Sequence, residues 1–215
     1  IPKGFVSSSV IGTGLQLPVD PAIVVDRNNQ PVIAWIRTTA SLDADLMIRR
    51  PYIDGGGFNF AIEKVGTTPS GRNISVQLGT NGSVPYILFG DNTNTDLRLR
   101  VSGTGGWSND LVDTGRGFIE VTSDLALDAS NKVMVLSHRA FDNVPALFVS
   151  SSTGWTSTPI GTIPTVFATP MRQCHTIRCD NSGTFHFAFV DAKADGTPGI
   201  FYGTSGSAGL SGPTL

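Results

Sequence analysis

Four residues close apolar runs at nearly equal intervals. They are Arg37, Asp91, Arg139 and Asp191, at gaps of 54, 48 and 52. Arginine offers a planar fork of donors and aspartate a pair of acceptor oxygens. If the runs they end are equivalent strands, two Arg and two Asp alternate around one polar mouth. Such a mouth suits a small ligand or a sugar. The plainer reading comes first: mutual salt bridging at a rim, which contributes little because exposed ion pairs usually do, and a rim must be polar in any case. Tyr52, next to Pro51 and near Gly55-Gly56-Gly57, is the aromatic best placed for exposure beside such a site.

Other chemistry is thinly supplied. Two-carboxylate glycoside hydrolysis has little Glu to draw on, with Glu63 in an outer strand and Glu120 in a connector. Most Asp residues fall in turns, where the side chain caps its own backbone. Cys174-His175 and Cys179 give only three potential metal ligands, in one extended segment. Five extended residues span roughly 16 Å, beyond the reach of a disulfide, so free thiols are expected. His138 and His186 stand alone. No metal or cofactor is implied. Asn73-Ile74-Ser75 and Asn81-Gly82-Ser83 fit a glycosylation pattern, which matters only in a eukaryotic secretory setting.

The elements that must hold these residues repeat. Phe5, Phe58, Trp107 and Trp155 each lead a short strand, at gaps of 53, 49 and 48. A second marker is the first hairpin turn of each unit, at Asp26, Thr80, Asp128 and Asp180, with gaps of 54, 48 and 52. Two phases agree on units of about fifty residues, a period of propellers and solenoids. Each unit reads as a strand, a turn, a returning strand, a polar loop, a third strand, a glycine turn and an aromatic-led fourth strand. Regular spacing assigns the aromatics to packing between units rather than to sugar stacking.

The fourth unit ends in the Gly/Ser-rich stretch Gly203–Pro213, which lacks an aromatic-led strand. Gly4–Thr13 has one and no other home. The expectation is therefore an all-β, four-bladed β-propeller forming one domain over 1–215. Its blades cover about 19–66, 72–113, 121–163 and 171–204, and Gly4–Thr13 supplies the outer strand of the last blade. Such closure removes an open sheet edge.

Composition excludes several classes. Charged residues make up 15% and the net charge is −2, so there is no basic face for nucleic acid. No apolar stretch has the length of a membrane span. Glycine numbers 25 and proline 13, as turn-rich β proteins require. The chain opens at Ile1 rather than Met, as expected of a processed chain or an internal segment.

Leu125-Ala126-Leu127-Asp128-Ala129-Ser130-Asn131 followed by Val133–Leu136, and Asp96–Arg100 before Gly105-Gly106-Trp107, resemble the BNR/Asp-box repeats of sialidase-like propellers. Ser102–Trp107 and Ser152–Trp155 keep the small residues and the Trp of an Asp-box but lack its Asp. The resemblance implies the fold. Sialidase activity would further need an arginine cluster, a Tyr–Glu pair and an acidic Asp, and this sequence does not carry that set. The reading is a non-catalytic recognition module for carbohydrate or another surface ligand, in a larger extracellular or virion (phage-type) protein. The alternatives are a structural or decoration protein in a large assembly, with protein as the partner, and, less favoured, a glycosidase. Ligand-binding residues are expected at Arg37, Asp91, Arg139, Asp191 and Tyr52.

Overall fold

Alternation of apolar and polar side chains at period two makes one strand after another in this chain. The computed structural model describes residues 18–38, 43–54, 57–69, 72–79, 82–91, 96–114, 123–138, 144–161, 175–193, 195–206 and 209–214. Every regular element among the described residues is a strand.

Sheet 1 runs in order through β1 (Pro18–Val25), β2 (Pro31–Thr38), β3 (Asp43–Asp54) and β4 (Gly57–Pro69). Sheet 2 holds β5 (Arg72–Leu78), β6 (Pro85–Asp91), β7 (Asp96–Gly103) and β8 (Gly106–Trp107), and β9 (Asp110–Asp113) also pairs with β7. Sheet 3 holds β10 (Asp124–Leu127), β11 (Val133–His138), β12 (Pro145–Ser151) and β13 (Gly154–Pro159). Sheet 4 holds β14 (His175–Cys179), β15 (Phe185–Ala192), β16 (Pro198–Gly206) and β17 (Gly209–Thr214). All pairings are antiparallel and, apart from β9 on β7, join strands consecutive in sequence, so each sheet is a meander of hairpins.

The first hairpin turn of a sheet is fixed by an aspartate. Asp26 Oδ1 accepts from the backbone N–H of Asn28 and Gln30, both at 2.8 Å. Asp128 does the same for Ser130 and Lys132, and Asp180 for Ser182 and Thr184. Asn29 and Asn131 take positive φ three residues after the aspartate (57° and 64°), which asparagine tolerates. In sheet 2 the turn hydrogen bonds start at Gly79; Thr80 lies outside the described residues.

Three buried apolar clusters join the sheets in succession. Val32, Ala34, Ile36, Leu46 and Ile48 of sheet 1 meet Val76, Ile87 and Phe89 of sheet 2. Leu88, Leu97 and Leu99 of sheet 2 meet Leu125, Val135, Ala146 and Phe148 of sheet 3. Met134, Leu136 and Leu147 of sheet 3 meet Ile177, Phe185, Phe187 and Phe189 of sheet 4. The first strands follow the same order, β1 beside β5, β5 beside β10, and β10 beside β14. Each inner sheet is thus apolar on both faces, as stacked sheets require. Among the described residues no fourth cluster of this kind joins sheet 4 to sheet 1.

Sheet 4 corrects one expectation. Its outer position is filled by β17, from the stretch read as a tail, and Gly4–Thr13 lies outside the described residues. An edge strand needs backbone partners rather than an aromatic. Gly206 pairs with Gly209, and Ser211 Oγ accepts from Thr204 N–H at 3.0 Å. Gly203 lets the Phe187 ring lie against the backbone, since a Cβ there would sit 2.5 Å from the ring. A second shift concerns the aromatic marker of sheet 1. Trp107 pairs with Ser102 and Trp155 with Ser150, and the matching position opposite Pro51 is Phe60; Phe58 pairs with Ile53.

Candidate functional site

The residues expected to form a polar mouth lie at the ends of second strands. Arg37 ends β2 and pairs with the buried Asp45 of β3 at 2.6 Å, and Lys64 holds the other Asp45 oxygen at 2.6 Å. Burial pushes the Asp45 carboxyl up, but the Arg37 and Lys64 hydrogen bonds outweigh it and hold it below the usual range. Asp91 is buried and lies 3.6 Å from Arg98, which also binds Asp96 at 2.6 Å. Asp191 is buried too, and lies so close to Gly161 that a Cβ there would be 2.6 Å from its Oδ2. Arg139 lies outside the described residues. Arg37 and Asp91 thus meet opposite charges within their own sheets, whereas Asp191 faces Gly161 at the end of sheet 3. Nearby, Ser123 and Ser137 share a 2.6 Å hydrogen bond, and the buried rings of His138 and His175 meet edge to face at 4.6 Å.

Tyr52 is at the opposite end of sheet 1. It lies seven steps along β3 from Asp45, roughly 23 Å of extended chain. It is exposed and lines a cleft of about 470 Å³ between sheets 1 and 2. The cleft is walled by the Asp26–Asn28 turn, by Arg50, Pro51 and Ala61, and by Gly82, Ser83 and Pro85 across the seam. Aromatic, carboxylate, amide, hydroxyl and guanidinium groups thus converge on one concavity, within the size range of small-ligand sites.

Arg50 connects this cleft to a second set of groups. It donates from Nη2 to Glu63 Oε2 on the neighbouring strand. Glu63 Oε1 accepts from Trp107 Nε1 at 2.7 Å, across the seam from sheet 2. The Arg50 guanidinium carbon lies 5.9 Å from the Trp107 ring centroid, within cation–π range. Both oxygens of Glu63 are therefore held, and an arginine edge, an indole and a tyrosine sit along one seam. Sequence reading assigned Trp107 to packing, and it does pack against the first apolar cluster. Its polar role escaped. Part of the signal was present: counting the hairpin register outward from the pair Asp54↔Gly57 sets Ile48 opposite Glu63 and Arg50 two residues from that pair. Nothing in sequence brought Trp107 to them.

The seam between sheets 2 and 3 has a comparable cleft of about 550 Å³, lined by Tyr86, Val101, Asp110, Ser150, Ser151 and Trp155 among others. Burial pushes the Tyr86 phenol above its usual value. Cys179 is a free, half-buried thiol whose pKa is raised by burial and then by Asp128 and Asp180, which makes it a poor nucleophile. Cys174 is outside the described residues. Among the described residues no group of three or more His, Cys, Asp or Glu side chains is placed to hold a metal.

No family model matches the chain, and no curated protein matches it. Solved structures do. AofleA from Arthrobotrys oligospora aligns with a TM-score of 0.57 at 13% identity, over 92% of this chain and 56% of that one. The Hadza microbial sialidase Hz136 aligns with a TM-score of 0.55 at 14% identity, over 94% and 46%. The α-L-arabinofuranosidase PaAbf62A from Podospora anserina, in complex with cellotriose, gives 0.51 at 12%, over 91% and 66%. The chain spans about half the length of the first two. At these identities the likeness is one of fold: a distant relationship to a sialidase fold, and an array of antiparallel sheets that carbohydrate-active proteins also use.

Proposed function

We propose that the protein is a non-catalytic carbohydrate-recognition module whose four sheets are consecutive blades of a propeller-like circuit. The ligand sits in the cleft between sheets 1 and 2. One observation carries the reading: Arg50, Glu63 and Trp107 form a bonded set across the seam, and Arg50 and Tyr52 line the cleft beside it. A sugar presents hydroxyls to paired donors and acceptors and apolar C–H faces to aromatic rings. Arg50 supplies donors, Asp26, Asn28 and Ser83 supply further polar contacts, and Tyr52 supplies a ring face. Glu63 is tied through both oxygens, which suits a fixed acceptor better than a proton shuttle. Solved structures of similar fold include a sialidase and an arabinofuranosidase bound to cellotriose, which supports a glycan as the ligand class. Of the residues expected from sequence, Tyr52 stays in this site; Arg37, Asp91 and Asp191 belong to the other end.

The test is a glycan array followed by calorimetry on the best-binding saccharide. Removing a charged hydrogen-bonding partner costs about 1.5–3 kcal/mol, roughly tenfold to a hundredfold in affinity. Arg50→Ala should weaken binding by that factor while the fold persists. An Arg50→Ala protein that binds like the parent would move the site elsewhere, and silence across a broad array would remove the carbohydrate reading altogether.

A further inference from the structure

The seam between sheets 1 and 2 and the seam between sheets 2 and 3 carry the same kinds of group at matching positions, with one exchange. Ile48 and Leu99 hold equivalent places, opposite Ala34 and Leu88, and their partners on the outer side are Glu63 and Asp110. Trp107 reaches Glu63 across the first seam. Trp155 has the same ladder position in sheet 3 and lines the second cleft together with Asp110. Two residues beyond Ile48 stands Arg50, and two beyond Leu99 stands Val101. The second seam thus keeps a carboxylate and an indole but holds an aliphatic side chain where the first holds a guanidinium. Tyr86, packed against the same apolar cluster as Trp155, adds a second ring to the cleft. The described residues that line this cleft include no Lys or Arg. Among them Asp110 is exposed and accepts only the long bond from Ser108 Oγ, at 3.4 Å.

We propose that the cleft between sheets 2 and 3 binds a ligand bearing an organic ammonium group, which takes the place that Arg50 holds in the first seam. There the guanidinium is bonded to Glu63 and lies 5.9 Å from the Trp107 ring centroid. A cation beside Val101 gains the same two interactions, a carboxylate from Asp110 and an aromatic face from Trp155. The face of an aromatic ring is negative and attracts cations, tryptophan most strongly. One carboxylate with no cationic side chain beside it favours positive charge over an anion. The kind of cation follows from the rest of the wall. Leu99, Val101 and Val133 are aliphatic, and a single carboxylate cannot replace the hydration shell of a metal ion. An alkylated ammonium is weakly hydrated and matches rings and aliphatic groups together. The cleft, at about 550 Å³, has room for a body larger than the ammonium itself.

The test is a titration with choline chloride, followed by the indole N–H resonances of Trp35, Trp107 and Trp155, with the neutral carbon analogue of choline as the control. The Trp155 resonance, identified by its loss in Trp155→Phe, should move with choline and not with the neutral analogue, while Trp107 stays in place. Val101→Arg sets a resident cation in the cleft and should weaken choline binding roughly tenfold or more, because like charges then meet. Asp110→Asn changes an exposed side chain without touching the apolar layer, and should weaken binding about threefold, as loss of an exposed ion pair does. An equal response to choline and its neutral analogue overturns the proposal, and so does a titration that moves Trp107 alone or no indole at all. Choline affinity unchanged in both variants overturns it equally. Arg50→Ala should leave choline binding as in the parent, so this proposal and the saccharide site at Arg50 fail independently.

Discussion

The seam between sheets 1 and 2 and the seam between sheets 2 and 3 share their packing and differ in their polar edge. In both, a layer of aliphatic side chains with a single phenylalanine, Phe89 or Phe148, is closed by a half-buried tryptophan at the same ladder position, Trp107 or Trp155. Opposite Trp107 stand Arg50 and Glu63. At the matching positions facing Trp155 stand Val101 and Asp110, judged from the pairs Ile48↔Glu63 and Leu99↔Asp110. Asp110 is exposed and accepts only a long 3.4 Å bond from Ser108 Oγ. The comparison separates two pressures. A stacked sheet must bury its face, so the apolar layer repeats. The mouth of the cleft has no packing task, so its residues are free to differ, and the seam that gathered a bonded Arg–Glu–Trp set is the one to test for a saccharide.

The strongest way to break this comparison is to attack what the seams share. Ile48→Ala and Leu99→Ala each remove a fully buried side chain from equivalent layers, and each should cost about 2–5 kcal/mol. Urea unfolding reads both. Losses that differ by more than the spread of such substitutions would mean that the seams are not equivalent. Next comes what they do not share. Trp107→Phe keeps an aromatic in the seam but removes the donor to Glu63. It should lower saccharide affinity about tenfold, as the loss of a hydrogen bond to a charged group does, whereas Trp155→Phe should leave affinity alone. Calorimetry with one saccharide decides it, and equal losses would remove the distinction drawn here.

A sharper version transplants the chemistry. Val101→Arg sets a guanidinium beside Trp155 and near Asp110, and should raise the measured stoichiometry above that of the parent. An unchanged stoichiometry with the fold intact would show that an arginine at this position is not sufficient. The smallest effect is in pH. The Asp45 carboxyl is held below its usual range, so its contribution to stability is complete above about pH 4 and is lost as pH falls through the depressed value. Asp45→Asn should flatten the acid limb of the stability curve and leave saccharide binding at neutral pH untouched, since Asp45 sits at the end of sheet 1 away from the cleft.

Much of the fold could be read before any coordinates. The aspartate turns at Asp26, Asp128 and Asp180 were legible because an Asx turn is decided within five residues. The strand pairs and their order followed from turn spacing, and Trp107 and Trp155 were placed on outer strands by their period. The errors came where the side-chain pattern was silent. β17 is built from Gly, Leu, Ser, Pro and Thr with no aromatic residue, and it pairs through its backbone, so a search for an aromatic leader passed over it. Arg37, Asp91 and Asp191 hold equivalent ladder positions, but position alone could not show that Asp91 and Asp191 are buried and that Arg37 is engaged by Asp45.

What the sequence by itself determined is the repeated strand, its two faces and its turns, because alternation and turn chemistry act over a few neighbouring residues. What only the tertiary structure decided is where those faces meet. Trp107 and Glu63 are 44 residues apart and become partners through the stacking of one sheet on the next. The same stacking buries Ile48, Leu99 and Leu147 and leaves Ile200, Tyr202 and Ile23 open. These side chains have the same apolar character in the sequence, and only the presence or absence of a neighbouring sheet tells them apart.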